Sequence, residues 1–216
     1  MVEQEVAAGR GEPAGPVIPA DQCALVVIDV QNDYCHDDGV FGRNGAALGP
    51  IQAAVDRIPA VVDVARRVRV PVIWVRTEHG PFTDSPMWLS RRVRSGGAIC
   101  AAGSWGAEFY RVRPAPDERV VVKHRYSAFV GSALPVVLRS LGRPVLLFAG
   151  VTTNVCVEST LRDAFMRDWS VALVEDCAAA LTKEEHEAAA HNVRTYFGRV
   201  LDSAALEGYW TAPGCR

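Results

Sequence analysis

The sequence has few of the features that mark membrane, nucleic-acid-binding or signal-bearing chains. No apolar run approaches the length of a membrane span. Lysine and arginine total 23 against 25 acidic residues, so a net charge of −2 offers no electrostatic basis for binding nucleic acid or an acidic membrane surface. The acidic, Gly- and Pro-rich start of the chain does not read as a signal peptide. We therefore expect a cytoplasmic protein with no nucleic-acid and no membrane partner.

Paired cysteines and zinc-ligand spacings are also missing. The six cysteines are irregularly spaced and none belongs to a CxxC motif; they are Cys23, Cys35, Cys100, Cys156, Cys177 and Cys215. A chain of 216 residues can bury a large core and needs no disulfides. The five histidines and the cysteines show no structural zinc spacing. Reduced thiols, no metal and no cofactor are the expectation.

Strand-like apolar segments alternate with helical patterns along the chain. The predicted strands are 24–28, 70–76, 120–122, 145–149, 171–174 and a short one at 200, and the predicted helices are 51–68, 133–141, 154–168 and 184–197. Residues 34–50 and 77–104 are predicted to be loops. The alternation predicts an α/β protein, a three-layer α/β/α sandwich with a mostly parallel sheet of about six strands. Residues 1–20 are predicted to be a flexible arm and 21–216 a single domain.

The stretch 146–163, LLFAGVTTNVCVESTLRD, places Cys156 where a buried strand passes into a helix. Ligands bind at the carboxyl ends of the strands in open α/β sheets. The positive end of the helix dipole and nearby N–H groups would favour the Cys156 thiolate. A cysteine in an apolar context is, however, more often a packed hydrophobic side chain. At this point both interpretations stand.

Two further predicted strands end in a charged residue, Asp29 and Lys123. Taken alone, each is explained by a turn cap or a surface charge. Parallel strands bring their carboxyl ends to one edge, so these two residues and Cys156 are expected to meet there. Lys123 can stabilise a thiolate, and Asp29 can accept and return a proton. With the backbone N–H groups of Thr152 and Cys156 as an oxyanion hole, the combination predicts acyl transfer through a thioester.

Three motifs carry a family resemblance: VVIDVQNDY, VVVKHRYSAF and AGVTTNVCVESTLRDA. They resemble the signatures of the isochorismatase-like cysteine hydrolases, and the resemblance runs from about Ala24 to Leu206. It implies a catalytic triad of Asp29, Lys123 and Cys156. It also implies a cis peptide at 151–152 that aims the Thr152 N–H at the substrate carbonyl. Homodimers or homotetramers are usual in the family, and the same is expected here.

Within that family, the sequence is most similar to the ureidoacrylate and biuret type amidohydrolases. This similarity implies a small-molecule amide substrate with a ureido or carbamoyl group. By motif position Tyr34 and Tyr126 resemble aromatic wall residues of the substrate pocket, and Trp105 and Phe129 are plausible additions. For each of the four, the alternative is an ordinary core side chain.

Other activities stay open as alternatives. A nicotinamidase-like deamidase shares the triad, but nicotinamidases carry an Asp/His metal cluster after the second strand, where this chain has TEHGPFTDSP with only His79. We expect His79 to be a surface or locally hydrogen-bonded residue. True isochorismatases lack the nucleophilic cysteine. A lactam-opening hydrolase similar to streptothricin hydrolase is a further alternative, and a thiol redox protein is the alternative of a different class.

Overall fold

Six apolar segments form one sheet in the computed structural model, which describes residues 18–94 and 98–211. The strands are β1 Cys23–Ile28, β2 Val72–Thr77, β3 Arg119–Lys123, β4 Val145–Val151, β5 Ser170–Ala179 and β6 Arg199–Leu201. Every pairing is parallel, and the order across the sheet is β3-β2-β1-β4-β5-β6. β1 is buried along its whole length, as a strand covered on both faces must be. The predicted six-stranded parallel sheet is confirmed.

Helices cover both faces of this sheet. They are α1 Asn32–Cys35, α2 Val40–Arg43, α3 Gly49–Arg67, α4 Pro86–Arg94, α5 Leu134–Leu141, α6 Glu158–Phe165, α7 Lys183–Asn192 and α8 Ser203–Thr211. Alternate residues of β1 enter two separate cores. Leu25 packs in the core that contains α3 and α8, whereas Val26 packs in the core beneath α5 and α6. The three-layer α/β/α sandwich is therefore confirmed.

The strand order creates a switch point between β1 and β4. The chain runs outward from β1 through β2 to β3 and then returns to place β4 on the other side of β1. The connections after β1 and β4 therefore leave in opposite directions and open a crevice between them. In doubly wound sheets, this crevice at the carboxyl ends of the strands is where ligands bind.

Gly150 does not end its strand, contrary to the sequence interpretation. β4 continues to Val151, and Gly150 pairs with Ile28 of β1 in register. Its φ is +113°, and a Cβ on Gly150 would overlap the Ile28 backbone. Only glycine fits this close approach of two central strands. The glycine therefore permits the switch point instead of marking the end of β4.

The two predicted loops contain short helices. Residues 34–50 include the end of α1, all of α2 and the start of α3. The Asp33 carboxylate holds this segment by accepting the N–H groups of Val40 (3.2 Å) and Cys100 (2.6 Å). Residues 77–104 include α4, whose first turn is capped by the Ser85 hydroxyl accepting the Trp88 N–H at 3.2 Å. The bond from the Cys100 N–H to Asp33 joins segments 67 residues apart, a contact that local sequence patterns do not predict.

Residues 18–20 are the part of the predicted amino-terminal arm that lies within the described residues. Ile18 and Ala20 are buried in the α3-side core. Residues 1–17 lie outside the described residues, as does Cys215. Among the helices in the described part of the chain, none has the length and apolar character needed to cross a bilayer.

Candidate active site

Asp29, Lys123 and Cys156 meet at the carboxyl edge of the sheet. Asp29 follows β1, Lys123 is the last residue of β3, and Cys156 lies in the turn after β4. The Lys123 Nζ lies 2.8 Å from Asp29 Oδ2 and 3.4 Å from Cys156 Sγ. The structure thus brings the three residues singled out from the sequence into one cluster beside the switch point.

Thr77, the last residue of β2, ties this cluster together. Its hydroxyl donates to Asp29 Oδ1 at 3.1 Å and accepts from Lys123 Nζ at 2.7 Å. Its own position is fixed by Gln31, whose side chain bonds both the N–H and the carbonyl of Thr77 at 2.8 Å. The sequence interpretation missed Thr77. A polar residue at the carboxyl end of a buried strand was the signal, the same one that identified Asp29 and Lys123.

The Asp29–Lys123 ion pair is almost completely buried, with relative exposures of 0% and 1%. Burial lowers the pKa of Lys123, but interactions with Asp29 and Cys156 outweigh burial and the pKa is raised. The charged form of Lys123 is therefore favoured. A buried ion pair is stable only when further hydrogen bonds hold both partners. Thr77 and the Arg125 carbonyl, 3.0 Å from Lys123 Nζ, supply those bonds.

The surroundings of the Cys156 thiol favour its protonated form. Burial raises its pKa to about 12; Lys123 lowers the pKa, and the Asp29 carboxylate raises it again. Lys123 lowers the pKa of the Cys156 thiol, as expected from the sequence, but burial has the larger effect. The ammonium has oxygen acceptors in Asp29, Thr77 and Arg125 at 2.7–3.0 Å, so its contact with the sulfur is the longest of the four. Attack by Cys156 therefore requires a base at the moment of reaction.

Cys156 lies in a π-helical turn, Thr153–Val157, that leads into α6. The peptide between Val151 and Thr152 is cis, which confirms what the family resemblance implied. The Cys156 carbonyl accepts a hydrogen bond of 2.7 Å from Thr160, a buried hydroxyl one turn later. Thr160 thereby fixes the backbone that carries the thiol.

Tyr34 belongs to the wall of this cluster. Burial raises its pKa well above the usual value, and Cys100, Asp29 and Cys156 lie close enough to raise it further, while a hydrogen bond with Thr77 opposes the rise. A phenol among these groups stays protonated, so it can donate a hydrogen bond.

Trp105 and Phe129 lie in other surroundings. Trp105 begins a short helical turn, Trp105–Ala107, and its ring is 45% exposed and packs edge-on against His36 with centroids 5.0 Å apart. Phe129 is buried in the α5- and α6-side core, where it contacts Trp169. The contacts of Phe129 are those of a core side chain, the alternative that the sequence left open.

Tyr126 and His79 lie next to α4. The Tyr126 ring packs edge-on against Trp88 with centroids 5.3 Å apart. His79 is buried and its Nδ1 lies 2.9 Å from Asp84 Oδ1, so it is locally hydrogen-bonded and not a surface residue. Within the described ranges, no three His, Cys, Asp or Glu side chains group closely enough to hold a metal ion.

Five cysteines lie within the described residues, and all five are free thiols. Burial raises the pKa of Cys23, Cys35 and Cys177 to about 12 and that of Cys100 still further. A peroxide-reducing cysteine needs a depressed pKa. Cys156 differs from the other four in having a buried lysine against its sulfur.

Fold and site together define a hydrolase of the isochorismatase-like class. A family model described as the isochorismatase domain matches residues 23–205, so the chain belongs to the isochorismatase family. The ureidoacrylate amidohydrolase RutB of Methylobacterium radiotolerans is 35% identical over 94% of this chain and 89% of its own length.

Solved structures agree with this assignment. An isochorismatase family protein from Desulfovibrio vulgaris superposes with a TM-score of 0.76 at 30% identity, covering 86% of this chain and 96% of that one. N-carbamoylsarcosine amidase from Thermoplasma acidophilum gives a TM-score of 0.71 at 30% identity, covering 84% of this chain and 96% of that one.

Proposed function

We propose that this protein is a cysteine amidohydrolase that cleaves the C–N bond of a ureido or carbamoyl compound through a thioester intermediate. Its relatives are amidohydrolases, and the chain is a hydrolase acting on C–N bonds other than peptide bonds. The observation that carries the finer proposal is the buried contact chain from Asp29 through Lys123 to Cys156, with links of 2.8 and 3.4 Å.

In the first half-reaction, Asp29 takes the proton of the Cys156 thiol as the sulfur attacks the carbonyl carbon. A C–S bond forms, and the carbonyl oxygen becomes an oxyanion that the N–H groups of Thr152 and Cys156 stabilise. Asp29 then gives its proton to the departing nitrogen, and the C–N bond breaks. Lys123 stays charged throughout and stabilises the negative charge on sulfur and oxygen.

In the second half-reaction, Asp29 removes a proton from water, and the hydroxide adds to the thioester carbon. The C–S bond breaks, and the proton on Asp29 returns to the sulfur. General acid–base assistance of this kind contributes roughly 10²–10⁴ in rate, and one oxyanion donor about 10²–10³. The low polarity of the surroundings of a buried site strengthens the electrostatic part of both effects.

The test is ammonia release from a panel of amides by the wild type and by Cys156→Ala. The panel contains ureidoacrylate, biuret, N-carbamoyl amino acids, nicotinamide and maleamate. Release from a ureido or carbamoyl compound that disappears in Cys156→Ala supports the proposal. Turnover that survives in Cys156→Ala contradicts it, and release from nicotinamide alone contradicts the substrate class. Cys177→Ala is the matched control, because it removes a buried thiol that the mechanism does not use.

We also propose that this chain forms a homodimer or a homotetramer. Light scattering of the purified protein tests it directly, since a monomeric mass at the working concentration would contradict it.

A further inference from the structure

Two buried ring nitrogens near the cluster have no hydrogen-bond partner within the described residues: His79 Nε2 and Trp88 Nε1. The two rings stack with centroids 4.4 Å apart and planes inclined by 25°. His79 is only 3% exposed. Buried polar atoms are nearly always hydrogen-bonded in native proteins, so two orphans on adjacent rings call for a physical explanation.

The stacked pair stands beside the catalytic cluster. Thr77 of β2 lies opposite Lys123 of β3, and His79 follows two residues later. Trp88, on α4, packs against Tyr126, the neighbour of the Arg125 whose carbonyl accepts from Lys123. The pair therefore lines the same edge of the sheet as Lys123, on the β2–β3 side.

The hydrogen bond between His79 Nδ1 and Asp84 determines which nitrogen of the His79 ring carries a hydrogen. An ionised carboxylate only accepts, so the His79 nitrogen facing Asp84, Nδ1, carries the hydrogen. Burial lowers the pKa of His79 despite the opposing effect of Asp84, so the ring is neutral at pH 7. Its Nε2 is then a lone-pair acceptor. The indole Nε1 of Trp88 is a donor only.

We propose that His79 Nε2 and Trp88 Nε1 together bind an uncharged carboxamide of the substrate, a second amide beyond the bond that is cleaved. The amide N–H donates to His79, and its C=O accepts from Trp88. This inference rests on the proposed function and narrows its substrate class. A carboxylate in the same place offers acceptors only, so it leaves Nε2 without a partner and places a charge in a buried site.

A matched pair of compounds tests the inference. N-carbamoylglycinamide and N-carbamoylglycine differ only in a terminal carboxamide against a carboxylate. Titration calorimetry with the Cys156→Ala protein measures binding without turnover. The carboxamide is expected to bind about 10- to 100-fold more tightly. Equal binding, tighter binding of the carboxylate, or binding of neither compound overturns the inference.

Three substitutions, each made in the Cys156→Ala protein, assign the preference to the two atoms. Trp88→Phe keeps a stacking ring but removes the donor. His79→Asn keeps a donor near Asp84 but removes the acceptor at the ε position, whereas His79→Gln places an amide oxygen near that position. Trp88→Phe and His79→Asn should abolish the preference, and His79→Gln should keep most of it. Preference that persists in Trp88→Phe and His79→Asn overturns the inference.

A matched control separates a local effect from a general loss of packing. Trp210→Phe removes another buried indole N–H, from α8, and should leave the preference unchanged.

Ammonia release by the protein with Cys156 intact then separates the two proposals. If the carboxamide binds preferentially but no ammonia is released, the proposed amidohydrolase function is contradicted and the proposed carboxamide site is still supported. Equal release from both compounds leaves the function standing and overturns the inference.

Discussion

Cys156 and Cys177 are two buried thiols on neighbouring segments, and only one of them lies in a site. Cys156 follows β4, and Cys177 lies in β5, which pairs with β4. Burial is the main reason that the pKa of each is raised to about 12. The thiol pKa therefore does not distinguish the two residues, and the difference must lie in their neighbours.

The neighbours of Cys177 serve a structural purpose. Both oxygens of Asp176 are occupied by Ser203, which donates from its N–H at 2.7 Å and its hydroxyl at 2.6 Å at the start of α8. The nearest cation, Arg57, lies 3.7 Å from Asp176 with a side chain that is 63% exposed. Water screens such a charge, so it gives little stabilisation to an anion on Cys177.

At Cys156 the cation is buried against the sulfur. Lys123 is held by Asp29 and Thr77 in a medium of low polarity, where a charge 3.4 Å away interacts strongly. A negative charge on Cys156, which the proposed mechanism requires, would therefore be stabilised by a cation that is already in place. Under the proposed mechanism, the feature that distinguishes Cys156 from Cys177 is a buried counter-charge held by hydrogen bonds, and not a low pKa of the thiol.

Loss of the base gives the largest expected effect. Asp29→Asn should lower kcat by roughly 10²–10⁴, because no group remains to take the thiol proton. Steady-state ammonia release measures this change. Asp176→Asn is the matched control, since it alters the carboxylate beside Cys177 and should leave kcat unchanged. A variant Asp29→Asn with wild-type kcat contradicts the mechanism.

Loss of the buried cation affects both stability and rate. Lys123→Met leaves Asp29 buried and unpaired, which should cost about 3–5 kcal/mol of unfolding free energy and about 10²-fold in kcat. Urea denaturation and initial rates measure the two effects. Arg57→Met, at the exposed pair beside Cys177, should cost no more than about 1 kcal/mol. Similar losses in the two variants would remove the distinction between the two sites.

The raised pKa of Cys156 predicts the pH dependence of its alkylation. A group with a raised pKa keeps its proton to higher pH, so the thiolate fraction should rise about tenfold per pH unit between pH 8 and 10. Asp29 raises this pKa and Lys123 lowers it, so Asp29→Asn should move the profile to lower pH and Lys123→Met to higher pH. Iodoacetamide labelling followed by peptide mapping gives the rates. A plateau reached below pH 8 would show a resting thiolate and contradict this account.

The smallest expected effect comes from loss of the Thr77 hydroxyl, which bonds both Asp29 and Lys123. Thr77→Val keeps the shape of the side chain but removes its bonds to Asp29 and Lys123, which should cost about 1–3 kcal/mol and about tenfold in kcat. Thr182→Ala, which removes the N-cap of α7, should cost about 1 kcal/mol with no change in kcat. A kcat change of equal size in both variants would mean that Thr77 acts only through stability.

The sequence predicted the strands and the cluster because both depend on short patterns. Apolar runs that end in Asp29 and Lys123, and one that passes into the Cys156 turn, can be read without knowing which strands are neighbours. The strand order is not encoded in such patterns, so the switch point between β1 and β4 came only from the structure. Gly150 shows the same limit, since its need for a positive φ arises from the neighbouring strand and not from its own segment.

Contacts between distant residues explain what the sequence missed. Thr77 acts through partners 46 and 48 residues away, and His79 is buried by a helix that was predicted to be a loop. The sequence shows the lysine that lowers the pKa of Cys156. It does not show burial, which depends on the whole fold and has the larger effect on that pKa.

We propose that Cys156, and not Cys177, carries the reaction. The most direct test is to treat the protein with iodoacetamide at pH 9, sample it over time, and compare residual ammonia release with the labelled fraction of each cysteine peptide. The account predicts that activity falls in proportion to the labelling of Cys156 and reaches zero while Cys177 is unmodified. Activity that persists after Cys156 is fully labelled, or that falls in step with Cys177, would contradict it.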